Sequence, residues 1–497
     1  HNDFLRAYKK HLLSLEPTFL SDIFGLRGRL DLLVAYRNPI NRRDVVELKT
    51  SKDPKNFGKD IDEKDALQAT CYNLLLDSAY PDRIGSSAIL YSSAAPIDNP
   101  LRNAPNDIIS KRNALKIRNY MVYIEYQLTQ DPAAMLSFIA PSNFEKDGLW
   151  DNQLNEIKQF HHVLNRASDL EKNYFYEFVR FIAKEQRTAK VGSNNERSEG
   201  GFAALWNSNL AEKQKNYRLL SHLQFDELVK DSRGNLLLRF LKTPELTPEI
   251  ATFRTGDFAL LYPQEPDQSL LPTHHQVLRC TIKENAIDEI VLAPINPFLT
   301  EEYFKKYDLW AIEPELAEIG YDAMYANLYN FLRSSDHKRQ LLLGLVAPRF
   351  DHYHQPIVAK GLMPRQNTLL NLAIAAKDYF LLQGPPGTGK TKVMLKELVV
   401  QLLKNPQERL LLLAYTNRAV DEMCEALELI TTDKPYYIRL GHSETTTYKK
   451  QLLSAQVRDK DLLAIRRLIQ DCRIVLATVL TYQRNPELHT ELRFTTA

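Results

Sequence analysis

From about residue 20 to residue 50, apolar and polar positions alternate as in half-buried strands. Asp65 to Asp77 (DALQATCYNLLLD) then changes to helical apolar spacing, so the chain opens as mixed α/β. Between about 145 and 220 the pattern is helical and charged, interrupted by the Gly, Ser and Asn of VGSNNERSEGG (Val191 to Gly201), and it predicts a connecting stalk with a loop. From about 218 to 310, short β-rich runs such as LLLRFLK, GDFALLYP, HQVLRCTI and DEIVLAP recur between turn signals, at a spacing suited to a small antiparallel barrel. Glu313 to Leu345 returns to helical spacing. Beyond Pro348, apolar strands alternate with amphipathic helices, the order a parallel α/β sheet requires.

The length, 497 residues, calls for several independently cored units. With 44% hydrophobic and 25% charged residues, composition excludes a long disordered or fibrous chain. The formal charge of +2 gives no global field, so any nucleic-acid contact must come from local patches. Cys71, Cys280, Cys424 and Cys472 form no CxxC pair, which argues against a disulfide framework or a zinc knuckle and for a reducing compartment. No apolar run reaches the ~20 residues of a membrane span, and no signal segment opens the chain; a cytoplasmic protein, or a nuclear one in a eukaryote, is expected.

The strongest chemical signal is DYFLLQGPPGTGKTK, where a predicted strand (Tyr379 to Gln383) enters GxxxxGKT and then the helical VMLKELVVQLL. The loop Gly384, Pro385, Pro386, Gly387, Thr388 and Gly389 would curl its N–H groups round phosphate oxygens, aided by the helix N-terminus. Lys390 would reach the β and γ phosphates and Thr391 would hold Mg²⁺, so ATP is the expected nucleotide.

A second signal lies in FGLRGRLDLLVAYRNPINRRDVVELKTSK, which reads as two strands joined by a turn at Asn38-Pro39. A hairpin symmetric about Pro39 sets Asp31 opposite Glu47, about 5 Å apart at Cβ, and puts Lys49 on the face of Glu47. Opposed carboxylates repel unless a cation lies between them. Asp31 and Glu47, with the Leu48 backbone carbonyl, are therefore candidate ligands for Mg²⁺ or Mn²⁺, and Lys49 would steady negative charge developing on a phosphodiester. Alone, the same spacing also suits a solvated surface hairpin.

These motifs carry two resemblances. GPPGTGKT followed by LLLLAYTNRAVDEMCEAL is similar to motifs I and Ia of superfamily-one helicases related to the nonsense-decay and Okazaki-fragment enzymes. The resemblance implies that Thr416 and Asn417 touch single-stranded nucleic acid, although they would equally suit a helix cap. It further implies that Gln366 reads adenine, that Tyr436 to His442 (YYIRLGH) forms the Arg-Leu-Gly segment, and that Thr478 in CRIVLATVLT contacts DNA. GLRGRLD, ELKT and the Q-x-x-x-Y pair Gln68 and Tyr72 resemble RecB-type nucleases of the PD-(D/E)XK group, which makes Gln68 and Tyr72 DNA-placing residues.

Together the order resembles that of the Okazaki-fragment nuclease-helicases. It implies a multidomain α/β protein: a PD-(D/E)XK nuclease (1–143), helical stalk (144–217), β-barrel (218–312), return stalk helices (313–355) and a partial RecA-like P-loop domain (356–497). That family usually holds an iron–sulfur cluster on four cysteines around its nuclease; only Cys71 lies there, so no cluster is expected. His11 is the nearest counterpart of an upstream histidine metal ligand, or else an exposed helical histidine. The chain begins without methionine, and no acidic Walker B segment appears in the 107 residues after Lys390, so an incomplete motor is expected. The expected function is metal-dependent cleavage of DNA with single-stranded character, coupled in the full protein to ATP-driven translocation in replication, repair or defence. The alternatives are a silent nuclease fold serving as a DNA-binding module, and an RNA-directed translocase.

Overall fold

The computed structural model describes residues 12–51, 53–95, 99–144, 149, 151–192, 201–231, 234–247, 251–265, 270–315, 320–351, 355–430, 436–443, 445–485 and 492–497. The chain divides into two compact units, one of residues 1–162 with 172–321 and one of 163–171 with 322–497.

The first unit begins with β1 (Leu12–Leu15), β2 (Thr18–Ser21), β3 (Leu26–Arg29), β4 (Leu32–Ala35) and β5 (Arg43–Lys49), followed by helix α1 (Glu63–Ala79), β6 (Ser87–Tyr91) and β7 (Leu101–Ala104). Five of these strands form one mixed sheet in the order β1-β4-β5-β6-β7, while β2 and β3 pair with each other. Only β5 and β6 run parallel, and a parallel pair needs a crossover; α1 supplies it. The helix starts because Asp62 accepts a hydrogen bond from the Lys64 N–H and because Glu63 and Asp65 place negative charge in its first turn. Its Tyr72, Leu75, Leu76 and Ala79 bury against Phe19, Leu30, Leu33 and Val45. Leu32, Val34 and Val46 fill the opposite face of the sheet with Leu90 and Leu101. Since side chains alternate, the face of Val45 is also the face of Glu47 and Lys49, and it looks toward α1.

Long helices follow, α2 (Ile108–Gln130), α3 (Asp151–Arg166) and α4 (Asp169–Val191). After them β8 (Leu220–Lys230), β9 (Leu236–Lys242), β10 (Phe258–Gln264), β11 (Leu278–Asn285), β12 (Glu289–Pro294) and β13 (Leu309–Pro314) close a six-stranded barrel in the order β10-β11-β12-β9-β8-β13. Every pairing in it is antiparallel, as the short evenly spaced β-rich runs predict. Its interior holds fully buried Trp310 against Phe240 and Phe304. The barrel and the first sheet share one unit because the β2–β3 hairpin joins them. The Val277 N–H donates to the Thr18 carbonyl at 2.9 Å, and Leu20 is buried with Leu260, Tyr262 and Val277.

The second unit contains α5 (Tyr321–Arg333) from Asp322 onward, α6 (Asp336–Leu342), α7 (Pro364–Ala375), α8 (Lys396–Leu402), β14 (Leu410–Ala414), α9 (Asn417–Glu428), β15 (Tyr437–Arg439), α10 (Leu462–Asp471) and β16 (Ile474–Thr478). Its sheet is parallel, in the order β14-β16-β15. One expectation is corrected. Tyr379 to Gln383 does not form a strand, and Leu381 is 83% exposed. The physical reason lies in ladder pairing: the sheet is β14-β16-β15, and no strand of it supplies hydrogen-bond partners to this run. Among the described residues the apolar run before the glycine loop has no strand neighbour.

Trp310→Ala removes the largest side chain of the barrel core. It should cost about 3–5 kcal/mol in the unfolding of the first unit, read by denaturant titration; no loss would mean that the barrel interior is not closely filled.

Candidate active site

β4 and β5 pair Leu32 with Val46 and Leu33 with Val45, a register that continues to Asp31 opposite Glu47. This is the register the symmetric hairpin requires. The Leu48 N–H donates to Asp31 Oδ2 at 2.7 Å, which ties the first carboxylate across the strands. Glu47 is 3% exposed, and its Oε2 has no hydrogen-bond partner. Burial first, and the charge of Asp31 second, push its carboxyl up to about 7, with Lys49 opposing them.

Lys49 Nζ meets Glu47 Oε1 at 3.1 Å, Gln68 Oε1 at 2.6 Å and Asp65 Oδ1 at 3.5 Å. Burial alone would lower its pKa, but the bond and charge of Glu47, joined by Asp65, hold it above the ordinary lysine value. Gln68 Nε2 donates to the Tyr72 hydroxyl at 2.7 Å, and that hydroxyl donates to the Arg29 carbonyl at 2.9 Å. Tyr72 is buried, and burial pushes its hydroxyl up to about 12. The Q-x-x-x-Y pair therefore commits its polar atoms to an internal chain ending on Lys49. Asp65, which sequence reasoning missed, accepts from the Tyr91 hydroxyl at 2.8 Å. Its signal was its place three residues before Gln68, on the same helical face.

Among the described residues no group of three or more His, Cys, Asp or Glu is arranged to hold a metal ion. The donor set at this hairpin is two carboxylates, and a buried carboxylate oxygen without a partner, raised by a second carboxylate, is an arrangement that a divalent cation would relieve. The expectation for His11 lies outside the described residues. Cys71 sits on α1, where burial pushes its thiol up; Cys280, Cys424 and Cys472 are buried elsewhere.

In the second unit, Gly387 and Gly389 both have φ of 80°, the left-handed backbone the glycine loop needs. Lys390 Nζ donates to the carbonyls of Gly384 and Pro385, and Thr388 Oγ1 donates to the Pro385 carbonyl at 2.8 Å. The loop is thus folded onto its own lysine. Lys390 to Leu395, including Thr391, make a π-helical turn before α8. Gln366 lies at the start of α7 and accepts from the Met363 N–H at 3.0 Å; its Nε2 is 3.8 Å from where a Cβ on Gly389 would stand. The residues expected to bind phosphate and base are side by side.

Thr416 caps α9 by accepting from the Ala419 N–H at 3.2 Å and is exposed. Asn417 Oδ1 accepts from Arg439 at 3.2 Å, and Arg439, wholly buried, is fixed by Asp421 at 2.8 Å. Thr478 pairs with Ala414 across the parallel strands, so Thr416 and Thr478 share the carboxyl edge of the sheet. The Thr478 hydroxyl is 2.8 Å from the Thr481 hydroxyl and accepts from the Thr481 N–H at 3.1 Å, capping the next helix. Asp421 and Arg439 were the missed pair; the arginine stood in plain view in YYIRLGH, but its burial did not.

A parallel sheet with a glycine loop and a capped Thr-Asn helix is the arrangement of a P-loop helicase unit, and residues 362–463 match the family described as an AAA domain. Over most of its length the chain is similar to the replication nuclease-helicases. It is 29% identical to DNA replication ATP-dependent helicase/nuclease JHS1 of Arabidopsis thaliana over 87% of this chain and 35% of that protein. It is 20% identical to the human DNA replication ATP-dependent helicase/nuclease DNA2 over 94% of this chain and 46% of that protein, and 22% identical to the Saccharomyces cerevisiae DNA2 over 83% and 31%. The chain spans about a third to a half of the length of these relatives. Among the described residues no helix is long and apolar enough to cross a membrane.

The raised Glu47 carboxyl sets a pH dependence. Its folded pKa of about 7 exceeds the ordinary 4.5, so the stability it contributes is present below 4.5 and is lost as pH rises to about 7. Glu47→Gln should therefore raise the melting temperature in EDTA at pH 8, by a free energy on the order of 2 kcal/mol, and change little at pH 4. An equal shift at both pH values would refute the assignment.

Proposed function

We propose that the chain is a metal-dependent DNA nuclease of the PD-(D/E)XK type joined to a superfamily-one helicase unit, acting on DNA with single-stranded character. The observation that carries this reading is the buried, unpartnered Glu47 Oε2 opposite Asp31, with Lys49 on the same face. The names of the relatives, which couple nuclease and helicase in DNA replication, support it. Asp31, Glu47 and the Leu48 carbonyl would hold Mg²⁺ or Mn²⁺. A cation there supplies a water of lowered pKa and charge to offset that on phosphate oxygens.

The protein's own part is positioning. Asp31 and Glu47 face each other across two strands, and Lys49, restrained by Glu47, Asp65 and Gln68, presents its ammonium to negative charge growing on the phosphoryl oxygens. Hydrolysis joins a water oxygen to phosphorus and breaks one P–O ester bond. In the second unit, ATP would displace the Gly384 and Pro385 carbonyls from Lys390, with Gln366 beside its base and Thr391 on Mg²⁺. Thr416, Asn417 and Thr478 would follow the nucleic-acid strand at the carboxyl edge of the sheet. A cytoplasmic or nuclear setting suits this work.

End-labelled single-stranded, flapped and duplex DNA, incubated with Mg²⁺, Mn²⁺ or EDTA, tests the reading. Cleavage without ATP, loss of it in EDTA and its abolition by Glu47→Ala are expected; a Glu47→Ala variant cutting at the wild-type rate would refute the site. Lys390→Ala should weaken ATP binding and leave cleavage unchanged within about twofold, since the two sites share no ligand. Tyr72→Phe breaks the chain from Gln68 to the Arg29 carbonyl; turnover should fall about tenfold with KM for DNA unchanged if Tyr72 acts by positioning Lys49, whereas a rise in KM alone would mark Tyr72 as a DNA contact.

A further inference from the structure

A groove of about 440 Å³ runs between the β2–β3 hairpin and the barrel, lined among others by Glu16, Arg27, Arg29, Arg279 and Asn296. All of these belong to the first unit. Three guanidinium groups thus line one concavity, and two of them are held from beneath by a single carboxylate. Glu315, with a side chain 1% exposed, binds Arg27 at 2.6 Å through one oxygen and Arg279 through the other. The arginines themselves remain about a third exposed. Each guanidinium carries five N–H donors, so the bond to Glu315 fixes the orientation of the fork and leaves further donors for a ligand. Arg29 is the outermost, 61% exposed and 3.5 Å from Glu16, itself half-exposed.

Arg27 and Arg29 flank Gly28 on β3, and Leu30, wholly buried, separates Arg29 from Asp31. Alternation along β3 puts Arg27 and Arg29 on one side, opposite to Gly28, whose Cα faces Tyr72 and Leu75 of α1, with the two side chains about 6.6 Å apart. That is the order of the spacing between phosphates of an extended single strand. A phosphate anion is what a set of planar, preoriented guanidinium groups recognises best.

We infer that this groove is a phosphate-binding track, in which Arg29 with Arg27 and Arg279 holds the backbone of a single DNA strand. It rests on the nuclease reading for the identity of the ligand, not for the geometry of the groove. The buried Glu315 makes the track a joint property of the hairpin and the barrel: neither part alone brings the three arginines together.

The test uses the whole chain and a fluorescein-labelled oligodeoxynucleotide in EDTA, with anisotropy followed across KCl concentrations. Arg29 is the variant of choice because its ion pair with Glu16 is an exposed one. Arg29→Ala should weaken binding and reduce the slope of log K against log salt by about 0.7 to 1, the share of one phosphate contact. Arg29→Lys, which keeps the charge, should restore most of the slope. In Mg²⁺ the same Arg29→Ala variant should raise KM for the oligonucleotide, less so at low salt. An unchanged slope and affinity in Arg29→Ala would overturn the track. If instead Glu47→Ala still cleaves while Arg29→Ala loses its salt-sensitive contact, the nuclease site fails and the groove stands as a nucleic-acid-binding surface.

Discussion

Two carboxylates set face to face across a pair of strands, one of them buried, form the constraint on which the first unit turns. Burial and the charge of Asp31 disfavour the ionised form of Glu47, and Lys49, two residues further along the same face, opposes them with a positive charge inside the protein. A slip of one residue between β4 and β5 would turn Glu47 and Lys49 away from α1 and expose Val45, so the hydrophobic pattern and the charged site enforce the same register. The crossover helix is bound into this arrangement twice, by its apolar face and by Gln68, Tyr72 and Asp65.

The barrel enters this chemistry indirectly. It covers the β2–β3 hairpin, buries Leu20, and through Glu315 orients arginines from two sequence-distant segments. Breaking either ion pair by truncating one arginine would leave a buried carboxylate with a single partner, which costs more than a surface ion pair is worth. In the second unit the same economy is seen at the glycine loop, where Lys390 is bound by loop carbonyls that a triphosphate would replace.

Much of this was legible from residue order. The alternation in FGLRGRLDLL and RRDVVELK set the hairpin, its turn and the opposition of Asp31 and Glu47, because strand period and turn position are local properties. The spaced β-rich runs announced the barrel, and glycines at the P-loop announced its left-handed turns. Where local reasoning stopped short, a distant partner decided the outcome. Tyr379 to Gln383 is apolar enough for a strand, but a strand needs a neighbour to complete its hydrogen-bond ladder, and among the described residues none pairs with this run. Gln68 and Tyr72 were legible as a pair on one helical face, but that their polar atoms turn inward to Lys49 and Arg29 depends on how α1 lies against the sheet.

The sequence by itself determined most of the elements, the register of the Asp31–Glu47 hairpin and the left-handed glycine loop, all of which follow from periodicity and backbone freedom within a few residues. Only the tertiary structure decided that Glu47 is buried with an unpartnered oxygen, that Asp65 and Gln68 share Lys49, and that Arg27 and Arg279 meet on Glu315. Burial and desolvation are set by every chain segment that covers a group, and Arg27 and Glu315 lie 288 residues apart, a separation across which no local pattern carries information.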